Sequence, residues 1–397
     1  MKRRSILVFT LIGLIFILSS CKDVEEGKIV EEIDHIQKII DNMTVEEKIG
    51  QLMIFGLNGT EVDDHVEKMI LENHVGGFIL FGHNISNEDQ TFKLLNKLKE
   101  INTVNQVPLF LSIDEEGGKV SRLPNNFLKL PEAKKIGDIN DEKISFEYGK
   151  ILATRIKSLG FNMNFAPVFD INSNPKNPVI GDRAFGSTAE SVVDNGLQVM
   201  RGINSENIIS IVKHFPGHGD TDVDSHVNIP MVEKSLNELK DIELIPFIKG
   251  IDENVDGIMI GHILYPKLDE RYPATLSQKI IEELLRKELL YDGVVISDDM
   301  TMGAIVKNYS IEEGAARFLT AGGDILLICH GYENQMKVLD RIKKEVEEGD
   351  IPQEELDKKV YRILKLKQKY HIQDKLLEDL DIESINSKTR ELLKDME

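Results

Sequence analysis

The sequence predicts a single (β/α)8 barrel of the TIM type, and three observations support that prediction. Short apolar runs separate helix-forming stretches along most of the 397 residues. The runs are apolar at successive positions rather than at every second one, which is typical of parallel strands buried on both faces. Eight such runs can be counted. Eight strand-and-helix units favour a closed barrel over an open doubly wound sheet, which usually has fewer strands.

The predicted strands and helices follow one another in order. Strands are expected at Leu52–Phe55, Val75–Phe81, Pro108–Ile113, Asn162–Ile171, Ile208–Val212, Gly257–Ile260, Gly293–Ile296 and Asp324–Ile328. Apolar residues three and four positions apart predict helices over Glu61–Asn73, Glu142–Leu159, Glu190–Ser205, Leu236–Gly250, Ser277–Leu290, Ser310–Ala321 and Glu333–Glu348. Capping-box spacings define two helix starts, at Thr44–Glu47 and Ser310–Glu313.

Reactive side chains occur where a barrel would need them, at the ends of predicted strands. Following strands three to seven in order, these are Asp114, Asp170, Lys213 with His214, His262 and Asp298. Active sites of such barrels lie at the carboxyl ends of the strands. The pattern therefore predicts one site at that end of the barrel.

The composition narrows the possible partners. Lys and Arg number 48 against 68 Asp and Glu, a formal net charge of -20. An acidic protein repels nucleic acid, so nucleic acid is not an expected partner. Cys329 ends the apolar run that begins at Ile325 and is expected to be a small core residue. No cofactor is expected.

The first twenty residues have the pattern of a secretion signal. Three basic residues precede an apolar run from Ile6 to Leu18, which is shorter than the ~20 residues of a membrane-spanning helix. The run leads into Leu18-Ser19-Ser20-Cys21, which resembles the bacterial lipobox, in which cleavage leaves the cysteine as a lipid-bearing amino terminus. We expect an extracytoplasmic protein, lipid-anchored to the bacterial cell membrane through Cys21. A plain membrane anchor or an uncleaved signal is the alternative.

The domain organisation is expected to be simple. Residues 1–20 form the signal and residues 21–35 an acidic tether. Residues 36–372 form the barrel domain, which ends with an amphipathic helix over Pro352–Tyr370. Residues 373–397 form a charged helical appendage. A monomer is expected.

The segment Lys213–His226 reads K-H-F-P-G-H-G-D-T-D-V-D-S-H, yet a metal site is not expected in it. Pro216 and the glycines prevent the helix that carries paired zinc-binding histidines in metalloproteases. The run Asp220–Asp224 begins like a calcium loop. However, Ser225 stands at the sixth position instead of glycine, and Met231 at the twelfth instead of glutamate.

The same segment can supply a general acid/base. Asp224 precedes His226 by two residues, so its carboxylate can orient the imidazole and raise the imidazole pKa from its free value of ~6.5. Such a histidine can donate a proton and take one back. Gly217 and Gly219 would let the segment move over a bound substrate.

Several motifs occur in a fixed order along the chain. They are MTVEEKIGQ at Met43–Gln51, IDEEGGKV at Ile113–Val120, GDRAF at Gly181–Phe185, the KHFPGHG…DSH segment, PATLS at Pro273–Ser277 and SDD at Ser297–Asp299. Together they resemble glycoside hydrolase family 3, specifically its NagZ-type β-N-acetylglucosaminidases, from about Met43 to Tyr370. Glu115 stands where glutamine is common and Lys119 where arginine is common. These departures concern sugar affinity rather than the reaction.

The resemblance implies a role for each candidate site residue. Asp298 is the implied nucleophile, which forms a covalent glycosyl-enzyme; from the residues alone, Asp299 is an equal candidate. His226 is the implied acid/base with Asp224 as its orienting partner, a departure from the usual pair of carboxylates. Sugar binding is implied for Asp114, Arg122, Arg183, Lys213 and His214. For Arg183 and Lys213, an internal salt bridge is the alternative.

These implications define one expected activity and its rivals. The expected enzyme is an exo-acting, retaining β-N-acetylglucosaminidase, a β-N-acetylhexosaminidase that removes terminal N-acetylglucosamine from peptidoglycan fragments or related glycans. Within the family, the rivals are a β-glucosidase and a phosphorylase that transfers the sugar to phosphate. From another class, the rival is a non-catalytic glycan-binding lipoprotein. A binder, however, has no need of both Asp298 and His226.

Overall fold

The computed structural model describes residues 35–221, 225 and 228–397. The chain divides into two compact units, Met1–Thr44 and Val45–Glu397. In the first unit, residues 35–42 are helical. The expected signal and Cys21 lie outside the described residues, as do Asp224 and His226. Among the helices that are described, none has the length and apolar character needed to cross a membrane.

The second unit contains the predicted barrel. Eight parallel strands pair in chain order, and β1 closes the ring on β8. The strands are β1 Met53–Gly56, β2 Gly77–Leu80, β3 Phe110–Ile113, β4 Met163–Asn164, β5 Ile209–Phe215, β6 Gly257–Ile260, β7 Val294–Asp299 and β8 Ile325–Ile328. Every strand except the end of β7 is buried along its whole length, as the continuous apolar runs predicted.

The described residues of this unit form thirteen α-helices around the strands. Before β5 they are α1 Val45–Gln51, α2 Asp64–Leu71, α3 Glu88–Asn102, α4 Ala133–Ile139, α5 Glu142–Leu159 and α6 Ala189–Ser205. After β5 they are α7 Leu236–Asp241, α8 Ile245–Asp252, α9 Gly303–Val306, α10 Ile311–Thr320, α11 Tyr332–Glu348, α12 Gln353–Lys369 and α13 Ile382–Asp395. Three 3-10 turns, Gly82–Asn84, Gly181–Arg183 and Ala274–Leu276, and a π-helix over Lys279–Glu288 complete the unit.

Three predicted elements differ from the structure. The predicted strand Asn162–Ile171 pairs as a ladder only at Met163–Asn164, because Pro167 has no backbone N–H to donate. The predicted helix Leu236–Gly250 is broken into α7 and α8, and Pro246 starts the second of them. The predicted helix Ser277–Leu290 is present as a π-helix.

The charged tail packs on the barrel through α13. Asn386 Nδ2 donates to Asn126 O at 2.7 Å, and Leu128 N donates back to Asn386 Oδ1 at 2.9 Å. Ile385 and Leu392 of the same helix are buried. Within the predicted appendage the helix is confined to Ile382–Asp395, and this part of the chain belongs to the same compact unit as the barrel.

A buried lysine joins three segments at the amino-terminal end of the barrel. Lys367 of α12 is 4% exposed, and its Nζ donates to Gln51 Oε1 at 2.7 Å, Gly76 O at 3.1 Å and Pro108 O at 2.6 Å. Gly76 directly precedes β2, and Pro108 lies two residues before the start of β3. This end is the floor of the barrel, opposite the carboxyl ends of the strands.

Candidate active site

A cavity of about 380 Å³ opens at the carboxyl ends of the strands, where the sequence predicts the site. It is lined by the six described residues to which the resemblance gives a catalytic or sugar-binding role, namely Asp114, Arg122, Arg183, Lys213, His214 and Asp298. Asp170 and His262, which were also expected at strand ends, do not line it. The six lining residues come from the segments that follow β3 and β4 and from β5 and β7. Closing the barrel brings them together across long stretches of sequence.

The two carboxylates at the end of β7 have different surroundings. Asp299 Oδ1 accepts from Thr301 N at 2.9 Å and Cys329 N at 3.2 Å, and its Oδ2 accepts from Thr301 Oγ1 at 2.6 Å. Asp298 Oδ1 accepts only from Asp299 N at 2.8 Å, counting the described residues. Asp299 is thus engaged by its own loop and by the segment after β8, whereas Asp298 is available to a ligand.

The groups around Asp298 favour its ionised form. Burial would raise the pKa of this carboxyl, but His262, His214 and the Asp299 amide outweigh burial and lower the pKa below its ordinary value. His262 follows β6, and its ring nitrogens contact Thr275 Oγ1 at 2.7 Å and Asp299 O at 2.9 Å. An ionised carboxylate facing the cavity has the charge state that a nucleophile requires.

Lys213 and Arg183 share carboxylate partners on the segment after β3. Lys213 Nζ contacts Asp114 Oδ1 at 2.6 Å and Glu116 Oε1 at 2.7 Å. Arg183 grips the same Glu116 with two bonds, from Nε and Nη2, each at 2.8 Å. The internal salt bridges that the sequence left open are therefore present. Both cations also line the cavity.

His214 is oriented by a buried aspartate. Its Nδ1 lies 2.6 Å from Asp170 Oδ2, and Asp170 Oδ1 also accepts from His218 N at 2.6 Å. Burial would raise the pKa of Asp170, but the charge and hydrogen bond of His214 lower it overall. With Nδ1 engaged in this way, His214 has its other ring nitrogen left for a ligand in the cavity.

The segment that carries the predicted acid/base reaches the same cavity at Ser225. Ser225 is buried and lines the cavity. Its backbone carbonyl accepts from Ala304 N at 3.1 Å, and its Oγ lies 3.3 Å from His218 Nε2. Burial lowers the pKa of His218 to about 4, with His214 adding to the effect. His218 therefore supports the segment as a neutral ring.

The glycines of this segment are required for packing. A Cβ at Gly219 would lie 1.6 Å from Ile171 O, and one at Gly217, where φ is +136°, would lie 2.8 Å from Glu243 Cβ. Only glycine fits such close approaches. Their expected role as hinges stays a prediction.

Arg122 has an incomplete set of partners. It lines the cavity, and its Nε is buried with no hydrogen-bond partner in the part of the chain that the structure describes. Burying such a donor unpaired is costly, so a ligand oxygen is a natural acceptor for it.

Several cavity residues were not singled out from the sequence. Glu116 joins Arg183 to Lys213, while Phe81 and His330 form an aromatic pair at the rim with ring centroids 5.1 Å apart. Glu116 could have been found, because it lies two residues beyond Asp114, and an extended segment points alternate side chains the same way. Phe81 and His330 follow different strands, β2 and β8, and no local signal links them.

The family model for the glycosyl hydrolase family 3 N terminal domain matches residues 44–366. Beta-hexosaminidase A of Pseudoalteromonas piscicida is 34% identical over 338 residues, which cover 78% of this chain and 56% of that protein. The chain thus spans little more than half of that relative. Beta-hexosaminidase of Thiobacillus denitrificans is 33% identical over 300 residues, covering 74% of this chain and 82% of that protein.

A solved structure extends the likeness to three dimensions. The family 3 beta-N-acetylglucosaminidase from Paenibacillus sp. str. FPU-7 superposes with a TM-score of 0.84 at 41% identity. The match covers 88% of this chain and 68% of that one. The family model, the relatives and the barrel agree with the motifs quoted above. This chain belongs to glycosyl hydrolase family 3.

Proposed function

We propose that this protein is an exo-acting, retaining β-N-acetylglucosaminidase that hydrolyses terminal β-linked N-acetylglucosamine from peptidoglycan fragments or related glycans. The observation that carries the proposal is the ionised Asp298 carboxylate, which faces a cavity ringed by hydrogen-bonding side chains. The names of the hexosaminidase and N-acetylglucosaminidase relatives support the choice of sugar.

In the first step, an Asp298 oxygen bonds to the anomeric carbon while the glycosidic C–O bond breaks. His226 gives its proton to the leaving oxygen. In the second step, water attacks the anomeric carbon, its proton passes to His226, and the bond to Asp298 breaks. The two displacements retain the anomeric configuration.

Asp298 is preferred to Asp299 because of their contacts. A nucleophile needs an oxygen that can approach carbon, and both Asp299 oxygens are occupied by bonds from Thr301 and Cys329. The single amide bond to Asp298 leaves its second oxygen for the sugar.

His226 is proposed as acid/base on the strength of its neighbour. Ser225 lines the cavity that Asp298 faces, and consecutive Cα atoms are only about 3.8 Å apart. Asp224, on the other side of Ser225, is proposed to orient the imidazole. Because a histidine takes the place of a second carboxylate, phosphate is repelled less strongly than in the usual arrangement.

The sugar hydroxyls are proposed to bind the charged side chains of the cavity. Asp114 offers acceptor oxygens, whereas Arg122, Arg183, Lys213 and His214 offer donors. The ion pairs among Lys213, Asp114 and Glu116 hold those groups in fixed positions before substrate arrives. Prepositioned polar groups of this kind discriminate strongly against sugars that leave them unpaired.

The activity is tested with an aryl N-acetylglucosaminide and the matching aryl glucoside, each with and without phosphate. We expect hydrolysis of the first substrate to predominate and free N-acetylglucosamine to be the product in both buffers. Preference for the glucoside, or a sugar phosphate as product, would overturn the proposal. Absence of turnover with retained glycan binding would favour the binding lipoprotein.

We also propose that the protein is a monomer anchored outside the cytoplasm by lipid on Cys21. The support is the lipobox-like sequence Leu18–Cys21. Cys21→Ala should move the protein from the membrane fraction to the soluble fraction of cells. Its persistence in the membrane fraction would contradict lipid anchoring, and a dimer mass in light scattering of the soluble variant would contradict the monomer.

A further inference from the structure

A second cavity lies beside the active site, behind the segment that follows β3. It measures about 290 Å³ and is lined by ten residues. The side chains that bear on its chemistry are Arg155, Lys119, Lys129 and Ser121. None of these residues lines the active-site cavity.

One segment forms the wall between the two cavities. From Lys119 to Leu123 the residues alternate between the cavities: Val120 and Arg122 line the active site, whereas Lys119, Ser121 and Leu123 line the second cavity. Glu116 also lines the active site, and Gly118 and Pro124 also line the second cavity. This is the alternation of extended chain around a tight turn, in which Glu116 N donates to Val120 O at 2.9 Å.

Arg155 is buried in the second cavity with few partners. Its side chain is 2% exposed. Its guanidinium makes an ion pair from Nη1 to Glu115 Oε1 at 3.2 Å, and Nε and Nη1 lack a hydrogen bond of good geometry among the described residues. Glu115 is itself satisfied by Ser121 Oγ at 2.8 Å and Arg122 N at 3.1 Å. Leaving a buried guanidinium so poorly bonded is costly unless something else supplies acceptors.

Two lysines at the cavity add to its positive charge. Lys119 and Lys129 are both exposed, and neither forms an ion pair with any residue that the structure describes. With Arg155 they place three cationic side chains at the cavity, where the ion pair from Arg155 goes to Glu115. The whole chain has a net charge of -20, so a local excess of positive side chains requires its own explanation.

We propose that this cavity binds an oxyanion, a phosphate or carboxylate group, between the buried Arg155 guanidinium and the Lys119 and Lys129 ammonium groups. A guanidinium presents parallel N–H donors that match the oxygens of such groups. The site is independent of the sugar chemistry, and it lies on the far side of the wall that carries Asp114, Glu116 and Arg122.

Thermal unfolding in inorganic phosphate tests the site, with chloride of equal ionic strength as reference. Substituting the buried Arg155 would also perturb the fold. The test therefore substitutes the two exposed lysines, in the double variant Lys119→Met/Lys129→Met. The matched control is Lys143→Met/Lys279→Met, which removes the same charge from exposed positions elsewhere. We expect phosphate to raise the Tm of wild type and control by about 2 °C or more, and the Lys119/Lys129 variant to lose this shift.

Two further experiments identify the kind of molecule that carries the bound oxyanion. Acetate in place of phosphate tests a carboxylate, and vesicles containing phosphatidylglycerol test a lipid headgroup by co-sedimentation. Loss of either response in the Lys119/Lys129 variant alone supports the site and names its source. Equal responses in both double variants, or no response to any of the three probes, would overturn it. Neither readout depends on glycoside hydrolysis, so failure here leaves the proposed activity untouched.

Discussion

At the scale of single residues, the contrast between Asp298 and Asp299 gives the first prediction. Asp298→Asn should lower kcat/KM by at least roughly 10³-fold, because an amide is a poor nucleophile. The free energy of unfolding should change little, since this carboxylate accepts one backbone bond in the described structure. Steady-state kinetics and urea unfolding measure the two effects.

Asp299→Asn is the matched comparison for that variant. It should reduce the free energy of unfolding, because three hydrogen bonds hold the native carboxylate. A slow fluorinated substrate should trap the intermediate and label the peptide at Asp298 in mass spectrometry. Label on Asp299 would reverse the assignment.

The second residue-scale prediction concerns Glu116 and pH. Burial alone would raise the pKa of Glu116, but Arg183 and Lys213 outweigh it and hold the pKa well below the ordinary 4.5. The unfolded carboxyl takes up a proton at higher pH than the folded one does. The stabilisation is therefore complete above pH 4.5 and is lost as pH falls through the folded pKa.

Glu116→Gln should consequently destabilise the protein by about 3 kcal/mol at neutral pH, and by progressively less in acid. Urea unfolding of both proteins across the acid range measures the difference. The exposed Glu270→Gln serves as control and should stay close to wild type at every pH. A Glu116→Gln deficit that is constant with pH would show that ionisation is not its origin.

The sequence predicted which residues meet at the site better than it predicted their roles. Strand ends identified Asp114, Lys213 and Asp298 because the barrel collects strand ends in one place. The choice between Asp298 and Asp299 was not available, because the amides that engage Asp299 come from Thr301 and from Cys329 after β8. The Cys329 contact forms only when β7 and β8 lie side by side in the barrel, and the Thr301 contacts depend on the conformation of the turn after β7.

At the scale of elements, the segment after β5 carries the next prediction. His226→Ala should lower kcat/KM by about 10²–10⁴-fold for a disaccharide, whose leaving group needs a proton. It should lower kcat/KM much less for a nitrophenyl glycoside, whose leaving group does not. For the disaccharide, wild-type activity should fall as pH rises above the histidine pKa, which is ~6.5 when free.

Comparing the two substrates provides the control within one variant. Measurements of kcat/KM from acid to alkaline pH should show the alkaline fall in wild type and its absence in His226→Ala. Equal losses on both substrates would mean that His226 is not the acid.

The terminal helix α13 gives a prediction for stability. Leu392 is 5% exposed in the structure, so Leu392→Ala should cost about 2–3 kcal/mol through lost burial and a cavity. Leu376→Ala, at a residue 44% exposed, should cost far less. Equal and negligible losses in urea unfolding would show that α13 is not fixed to the barrel in solution.

Element positions were predicted well where one local rule dominated. The helix predicted over Glu142–Leu159 has the same bounds in α5, because Asp141 caps its start and Gly160 ends it in the left-handed conformation. Prediction was poorer where a proline interrupted an apolar pattern, as in Asn162–Ile171 and Leu236–Gly250. Hydrophobic periodicity records burial, whereas the missing N–H of proline determines hydrogen bonding.

At the scale of the whole molecule, Lys367 gives the last prediction. Lys367→Met would leave Gln51 Oε1 and the carbonyls of Gly76 and Pro108 without their shared donor. The free energy of unfolding should fall by about 3 kcal/mol. Lys365→Met, exposed on the same helix α12, should be nearly neutral. Urea unfolding that fails to separate the two variants would contradict a structural role for Lys367.

The overall architecture could be read from the sequence because eight apolar runs with intervening helices have few closed arrangements. The hydrogen bonds of Lys367 at the amino-terminal end of the barrel could not be predicted in this way. Lys367 reads as one more charged position in an amphipathic helix, and its acceptors lie some 260 to 320 residues away. Only the folded barrel brings Gln51, Gly76 and Pro108 within reach of one ammonium group.

The position of Lys367 also bears on how a sugar enters and leaves the active site. In the proposed reaction, a monosaccharide released above Asp298 would leave by the opening at the carboxyl ends of the strands, where the next glycan end also arrives, since Lys367 and its partners occupy the opposite end. The leaving monosaccharide and the arriving glycan then compete for the same opening. Accumulated free sugar should slow turnover by simple occupancy.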